Sequence, residues 1–290
     1  MAMDDPGPAR PAPGPATAGT LPGPAHWPTA ALQQALAAIQ SGFQVSVVPE
    51  LDSTNSELMR RARAGHGAPC LLVAERQTAG RGRLGRQWLS ERDAAGAADP
   101  GATPPALTFS LGMALAPASW SGLSLVVGIT VAQALHPRLG LKWPNDLWLD
   151  GRKMAGILIE TASTATQRYT VIGVGINIAP RAPSALVPTP AWLQELTPEA
   201  DPPGTLAQIA PKLVQAVTRF EAEGFGPFRD AFAQRDVLRG RAVVLSDGGA
   251  GVAQGVDESG ALLVHTADGM RVVTSAEVSV RPVGAASGAS

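Results

Sequence analysis

The pattern of apolar residues changes at Gly240 from mixed helical and strand-like spacing to short apolar segments, and this change constrains the fold more than any other feature of the sequence. Beyond Gly240, five short apolar segments are separated by turn-forming sequences such as DESG and TADG. Short strands spaced in this way predict a small β-barrel. With 290 residues, the chain can also form a larger domain. We expect a disordered Pro/Ala-rich leader at 1–25, a main domain at 26–237, the barrel at 238–283 and a disordered tail at 284–290.

The region before Gly240 mixes helical and strand-like patterns. Period-two or continuous apolar runs predict strands at 43–50, 70–75, 106–115, 141–150, 153–161 and 168–178. Helical spacing predicts helices at 27–40, from Thr54 to near Gly65, at 122–135 and at 205–223.

Capping and turn residues suggest where several of these elements begin and end. Thr54 with Glu57 fits a capping box, and Thr205 is a plausible N-cap of the last helix, which would stop at Gly224. Asp150-Gly151 is a hairpin turn signal between two strands. Pro211 would either kink the last helix or mark its true start.

Composition excludes several classes of protein. The net charge of -1 argues against one long basic DNA-binding surface. Cys70 is the only cysteine and sits in an apolar run, so neither a disulfide scaffold nor a multi-cysteine zinc site is expected. The four histidines show no metal-ligand spacing. Neither a membrane span nor a secretory signal is apparent, so we expect a soluble cytoplasmic protein.

A loop at 76–86 carries four arginines, three glycines and no acidic residue, directly after a predicted strand. Guanidinium groups match carboxylate and phosphate geometry, and glycines let the backbone approach a ligand closely. The loop therefore suits a small anionic ligand such as a nucleotide. Composition alone leaves a solvated basic loop or a nucleic-acid patch equally open. The loop contains no Walker phosphate-binding motif.

Rare residues coincide with short motifs. In this arginine-rich chain only three lysines and three asparagines occur. Five of these six residues lie in the motifs STN (53–55), KWPNDLW (142–148), KMAGILIE (153–160) and GVGIN (173–177). A chain that uses a residue type this sparingly is expected to keep it where chemistry demands it.

These four motifs, together with GRGRLGRQW at 80–88, resemble the biotin protein ligases in order and spacing, from about residue 46 to 283. The resemblance implies an α+β fold of class II aminoacyl-tRNA synthetase type. Such a fold has a mixed, mostly antiparallel sheet packed with helices, plus a small C-terminal SH3-like barrel. It also implies ATP-dependent ligation of biotin to a lysine of a biotin carboxyl carrier protein, through biotinyl-adenylate.

The resemblance also assigns site residues. The expected catalytic residues are Lys153 and Arg83. The biotin-binding residues would be Ser53, Thr54, Asn55, Gln77, Arg81, Gly82, Arg83, Lys153 and Gly156. The ATP-binding residues would be Arg83, Lys142, Asn145, Asp146, Asn177 and Arg281. Mg²⁺ would arrive with ATP, with Asn145 or Asp146 as the candidate protein ligands.

Two departures and three partner expectations accompany the resemblance. The loop at 90–106 is longer than usual, and ALTFS lacks the aromatic residue expected opposite the biotin ring. The leader is too proline-rich for a helix-turn-helix, so a monofunctional ligase without specific DNA binding is expected. An exposed sheet edge could support a weak homodimer, and no membrane association is expected.

Two other functions are alternatives to biotin ligation. A lipoate ligase or transferase shares the catalytic fold but differs around the arginine loop. A nucleic-acid-binding protein could use the arginine loop and the barrel, although the near-neutral charge and the KWPND segment count against it.

Overall fold

The computed structural model describes residues 26–88, 104–163, 167–180, 189–245, 249–274 and 281–282. The expected leader, the expected tail and most of the long 90–106 loop lie outside these residues. Within them, no helix is long and apolar enough to cross a membrane.

Seven strands of the described chain form the larger sheet. In chain order they are β1 (Gln44–Leu51), β2 (Cys70–Gln77), β3 (Ala106–Ala114), β4 (Gly140–Lys142), β5 (Asp146–Leu149), β6 (Arg152–Ser163) and β7 (Arg168–Asn177). Across the sheet their order is β1-β2-β3-β7-β6-β5-β4. Only β1 and β2 are parallel, and all other neighbours are antiparallel. A helix connects the parallel pair, as parallel strands require.

Helices cover both faces of this sheet. They are α1 (Thr29–Ile39), α2 (Thr54–Arg63), α3 (Leu123–Leu135), α4 (Pro202–Glu223) and α5 (Arg229–Ala233). The larger core lies between the sheet and α1, α3 and α4. The smaller core lies on the opposite face, under α2. Helix α3 is apolar on all sides because it is buried on nearly all sides.

The alternation of side chains in β7 explains why there is room for a site under α2. Ile172 and Val174 face the larger core, whereas Tyr169 and Val171 belong to the α2 face. Continuing the period of two, Gly173 and Gly175 fall on the α2 face as well. The larger core is therefore filled, while positions 173 and 175 on the α2 face of β7 carry no side chains.

Two predicted helix caps were wrong. Helix α2 is capped by Ser53, whose hydroxyl accepts from the Ser56 amide, and Glu57 instead pairs with arginines of the next turn. Helix α4 begins three residues before Thr205, because Asp201 caps it through a 2.6 Å hydrogen bond from the Gly204 amide. Pro211 therefore lies inside α4 and does not mark its start, whereas the stop at Gly224 is confirmed.

The predicted strand at 141–150 is two strands, β4 and β5, separated by a tight reversal. Lys142 pairs with Asp146, so Trp143, Pro144 and Asn145 form the connection. Proline has no amide hydrogen to donate to a ladder, which explains the interruption. The turn at Asp150-Gly151 is confirmed, with φ of 47° and 78° at its two residues.

The C-terminal region forms a second, five-stranded antiparallel sheet. Its strands are β8 (Ala242–Val244), β9 (Ala250–Val256), β10 (Leu262–Thr266), β11 (Gly269–Val273) and β12 (Arg281–Pro282), in the order β11-β10-β9-β8-β12. It is joined to the main sheet by a buried 3.0 Å hydrogen bond from Trp143 Nε1 to the Gly260 carbonyl. The predicted α+β class with a small C-terminal β unit is confirmed.

Candidate functional site

A pocket lies over the glycine-bearing end of β7, beneath the N-terminus of α2. It encloses roughly 460 Å³ of space, including the part that opens to solvent. Eighteen described residues line it: Ser53, Thr54, Asn55, Gln77, Arg81, Gly82, Arg83, Trp88, Thr108, Phe109, Asn145, Lys153, Gly156, Ile157, Leu158, Gly173, Val174 and Gly175. Among these eighteen there are three cations and no carboxylate. The pocket therefore favours a ligand that is anionic at one end.

The inner end of the pocket is built from buried, uncharged polar groups. Thr54 and Asn55 are each only 3% exposed. The side-chain carbonyl of Gln77 accepts from the Thr54 amide at 2.8 Å and from the Thr54 hydroxyl at 3.2 Å. Asn55 Nδ2 donates to the Leu158 carbonyl and to Glu160 Oε2 at 3.2 and 3.0 Å. Buried polar groups need such partners, so these bonds fix the orientation of each group.

Ser110 joins these groups from beneath and was missed in the sequence. Its hydroxyl is fully buried and lies 2.6 Å from both Thr54 Oγ1 and Asn55 Oδ1. Because an amide oxygen only accepts, the Ser110 proton goes to Asn55, and the single Thr54 hydroxyl proton is shared between Ser110 and Gln77. A signal was present in the sequence: Thr108 and Ser110 alternate with apolar residues in β3, which places two polar side chains on one face.

The arginine loop runs across the mouth of the pocket. Arg83 begins a single 3₁₀ turn, and its Nη1 donates to Asn145 Oδ1 at 3.3 Å. Burial lowers the pKa of the Arg83 guanidinium from its ordinary value, opposed by the charge of Asp146 and reinforced by that of Arg86. An arginine still remains charged at neutral pH. The loop thus holds a partly desolvated cation at the pocket, which strengthens its attraction for an anion.

Arg81 is held by Glu160, a second residue that was not singled out in the sequence. Arg81 Nη2 lies 3.1 Å from Glu160 Oε1, and Glu160 Oε2 accepts from Asn55. One carboxylate therefore connects the arginine loop to the polar inner end. Glu160 is the last residue of the KMAGILIE motif, so its position was visible in the sequence although its role was not.

Lys153 brings the third cation to the pocket. It follows the Asp150-Gly151 turn at the start of β6, and its Nζ lies 2.7 Å from Asp146 Oδ1. A Cβ on Gly156 would lie only 3.1 Å from this Nζ. The glycine therefore leaves the space in which the ammonium group sits.

Trp88 provides an aromatic wall of the pocket, and Phe109, the aromatic residue that ALTFS does contain, also lines the pocket while packing in the larger core. A Cβ on Gly175 would lie 2.4 Å from its ring, and a Cβ on Gly156 would lie 3.3 Å from it. Lys153 Nζ lies 5.8 Å from the ring centroid. The indole therefore packs against two side-chain-free positions, which gives the middle of the pocket an apolar surface.

Three predicted ATP-binding residues, Lys142, Asp146 and Asn177, are not among the described lining of the pocket, although Asp146 pairs with Lys153, which is. Lys142 Nζ sits 4.4 Å above the Trp148 ring, and Asn177 Nδ2 donates to the Ala191 carbonyl at 3.1 Å. Arg281 pairs through its backbone with Val244 in the C-terminal sheet, and its side chain lies outside the described residues.

Comparison with known proteins decides the family. Residues 104–177 match the biotin/lipoate A/B protein ligase family, and residues 240–281 match the biotin protein ligase C terminal domain. The biotin–[acetyl-CoA-carboxylase] ligase of Paracoccus denitrificans is 34% identical, over 78% of this chain and 96% of its own. The chain belongs to the biotin protein ligase family.

Other members of the family agree. The bifunctional ligase/repressor BirA of Escherichia coli is 36% identical over 83% of this chain and 75% of its own length. A solved biotin protein ligase from Aquifex aeolicus, in complex with biotin and ATP, aligns with a TM-score of 0.67 and 28% identity. That alignment covers 82% of this chain and 98% of the Aquifex chain. The resemblance drawn from the five motifs is thereby confirmed, as is the biotin ligase fold.

Proposed function

We propose that this member of the family activates biotin with ATP as biotinyl-adenylate and transfers the biotinyl group to a carrier lysine. One observation carries the proposal: the pocket is graded along its length. It has buried uncharged polar groups at the inner end, an indole over bare glycines in the middle, and the cations Lys153 and Arg83 at the other end, whereas Arg81 pairs with Glu160 beside the inner end. Biotin has a urea ring, an apolar ring and chain, and a carboxylate in the same order.

The inner end suits a urea. A urea carbonyl accepts hydrogen bonds and its two N–H groups donate, so it needs donors and acceptors together. The amide and hydroxyl groups of Ser53, Thr54, Asn55 and Gln77 supply both. The dithiolane ring of lipoate has no such groups and would displace water from this polar surface without replacing its hydrogen bonds, which costs binding energy. The geometry therefore favours biotin over lipoate.

The outer end suits the first chemical step. The biotin carboxylate attacks the α-phosphorus of ATP, a P–O bond forms, and pyrophosphate leaves. Two anions must approach each other, so fixed cations are needed to offset their repulsion. We assign this role to Lys153 and Arg83, with Arg81 near the carboxylate. No side-chain nucleophile is required, because the carboxylate is itself the nucleophile.

ATP would extend from the Lys153 end of the pocket. Asn145 and Asp146 would face its phosphates, and Asn177 and Lys142 would act at the edge of the nucleotide site, with Arg281 reaching it from the C-terminal sheet. Within the described residues, no group of three or more His, Cys, Asp or Glu side chains could hold a metal ion. We therefore propose that Mg²⁺ is held mainly by the phosphates, with Asn145 or Asp146 as its protein ligand.

The carrier domain would approach along β6. Pairing with β5 extends only to Gly156, so in the described chain the side of β6 beyond Ile157 has no neighbouring strand. This open edge lies next to the pocket, and an open edge can pair with another protein. The carrier lysine would attack the adenylate carbonyl there, releasing AMP. The same edge would support a weak homodimer.

The first step can be tested without a carrier. Purified protein, ATP and Mg²⁺ should release pyrophosphate when biotin is added and not when lipoate is added, and mass spectrometry should detect biotinyl-adenylate. Release of pyrophosphate with lipoate and none with biotin would reassign the substrate. Folded protein that produced no adenylate with either acid would contradict the proposal.

A further inference from the structure

The connection between β4 and β5 receives support from the C-terminal sheet. Trp143 is 2% exposed, and its indole Nε1 donates to the carbonyl of Gly260 at 3.0 Å across 117 residues of sequence. Gly260 ends the turn formed by residues 257–260, between β9 and β10. One hydrogen bond therefore links this turn to the KWPND segment.

The 257–260 turn is built to hold that carbonyl in place. Asp257 Oδ1 accepts from the Ser259 amide at 2.8 Å, from the Ser259 hydroxyl at 2.7 Å and from the Ala261 amide at 3.0 Å. Gly260 has a φ of +83°, and a Cβ there would lie 2.8 Å from the Cα of Gly122. Only glycine allows both the left-handed backbone and this close approach to the start of α3.

On the other side of Trp143, the connection leads directly to the cationic end of the pocket. The Pro144 carbonyl accepts from the Ser124 hydroxyl at 2.9 Å. Asn145 donates through Nδ2 to the Ile157 carbonyl at 2.7 Å and accepts from Arg83 through Oδ1. Asp146 follows and pairs with Lys153. The indole bond therefore anchors the segment from which Asn145 and Asp146 project.

We propose that the 257–260 turn, acting through the Trp143 indole, is a positioning element for the ATP phosphates. Asp257 is a positioning residue, because its side chain lines neither the pocket nor the adjoining cavity. Trp143 is not among the lining of the pocket but borders that cavity, which shares Arg83, Asn145 and Ile157 with the pocket, and we assign it a positioning role through its indole bond. The inner polar end takes its support from hydrogen bonds among α2, β2, β3 and β6. Disturbing the turn should therefore weaken ATP binding and leave biotin binding intact. This inference rests on the proposed function, since it assigns the phosphates to that end of the pocket.

Four variants test the inference by calorimetric binding of biotin and, separately, of a non-hydrolysable ATP analogue with Mg²⁺. Trp143→Phe keeps an aromatic ring but removes the donor. Asp257→Ala removes the acceptor that shapes the turn, and Asp257→Asn keeps the Oδ1 acceptor. Trp27→Phe is the matched control: its indole also donates one hydrogen bond, to Glu75 at 2.7 Å, but away from the pocket.

We expect Trp143→Phe and Asp257→Ala to weaken analogue binding about tenfold, as loss of one buried hydrogen bond allows. Biotin affinity should be unchanged, and Asp257→Asn and Trp27→Phe should match the unmodified protein. Unchanged analogue binding in Asp257→Ala, or equal weakening for both ligands, would overturn the inference. If Trp143→Phe fails to fold, the two Asp257 variants decide. Failure of the unmodified protein to bind either ligand would instead count against the proposed function.

Discussion

Replacing Gly173 with alanine should damage the inner end of the pocket in a way that can be calculated from the structure. A Cβ at this position would lie 2.2 Å from Asn55 Oδ1 and 2.9 Å from Asn55 Cγ. Ordinary contact needs at least 3.4 Å, so the amide must move by about 1 Å. Because Asn55 is held by hydrogen bonds near 3 Å in length, a movement of that size breaks them.

The size of the effect follows from the bonds that are lost. Asn55 donates hydrogen bonds to the Leu158 carbonyl and to Glu160 and accepts one from Ser110. A typical bond of this kind contributes about 1 kcal/mol. Loss of two of these hydrogen bonds would make the free energy of biotin binding about 2 kcal/mol less favourable, which corresponds to roughly thirtyfold weaker binding.

Calorimetric titration with biotin measures this directly, and circular dichroism shows whether the fold survives. Gly226→Ala is the control, because a Cβ at Gly226 would have no heavy atom within 4 Å. We expect Gly226→Ala to bind biotin normally. A folded Gly173→Ala protein with unchanged biotin affinity would show that Asn55 does not hold the ligand.

Three further changes have defined outcomes. Lys153→Ala should slow adenylate formation by roughly 10²–10³-fold, because it removes a cation from the reacting groups. The protein should stay folded, because the fold loses only a partly exposed ion pair. Pyrophosphate release at the full rate would reject this role. Arg83→Ala should release adenylate roughly tenfold faster in single-turnover experiments, because a charge-assisted contact is lost, and unchanged retention would refute the assignment. Burial raises the pKa of the Asp236 carboxyl, so this group binds its proton more tightly in the folded than in the unfolded protein. Protonated Asp236 therefore favours the folded state at low pH, and this contribution to the free energy of unfolding is lost as the pH rises through the folded pKa. Asp236→Asn should therefore raise the melting temperature at pH 8 more than at pH 4, and an equal shift at both pH values would argue against this origin.

Motif order and apolar periodicity predicted most of the fold because both depend on local patterns. The strands at 43–50, 70–75 and 106–115 were predicted to within a residue or two at their starts. The predicted caps of α2 and α4 were wrong because the sequence offers two candidates for each helix: Ser53 and Asp201 cap a helix as well as Thr54 and Thr205 do. Nearest-neighbour patterns do not decide between them; the three-dimensional position of the chain does.

The parts of the site that escaped prediction depend on contacts between distant segments. Ser110 reaches Asn55 and Thr54 across more than 50 residues, and Glu160 reaches Asn55 across 105. Trp88 closes the pocket only because Gly156 and Gly175 are adjacent in the folded sheet. The alternation in β3 and the KMAGILIE motif mark Ser110 and Glu160 in the sequence, but their contacts become visible only when the register between strands is known.

Transfer of labelled biotin to a purified carrier domain, with ATP and Mg²⁺ and with lipoate in parallel, tests whether this protein ligates biotin to a carrier lysine. We expect ATP-dependent labelling of the carrier lysine by biotin and none by lipoate. Labelling by lipoate alone, or no labelling by either acid from folded protein, would contradict this expectation.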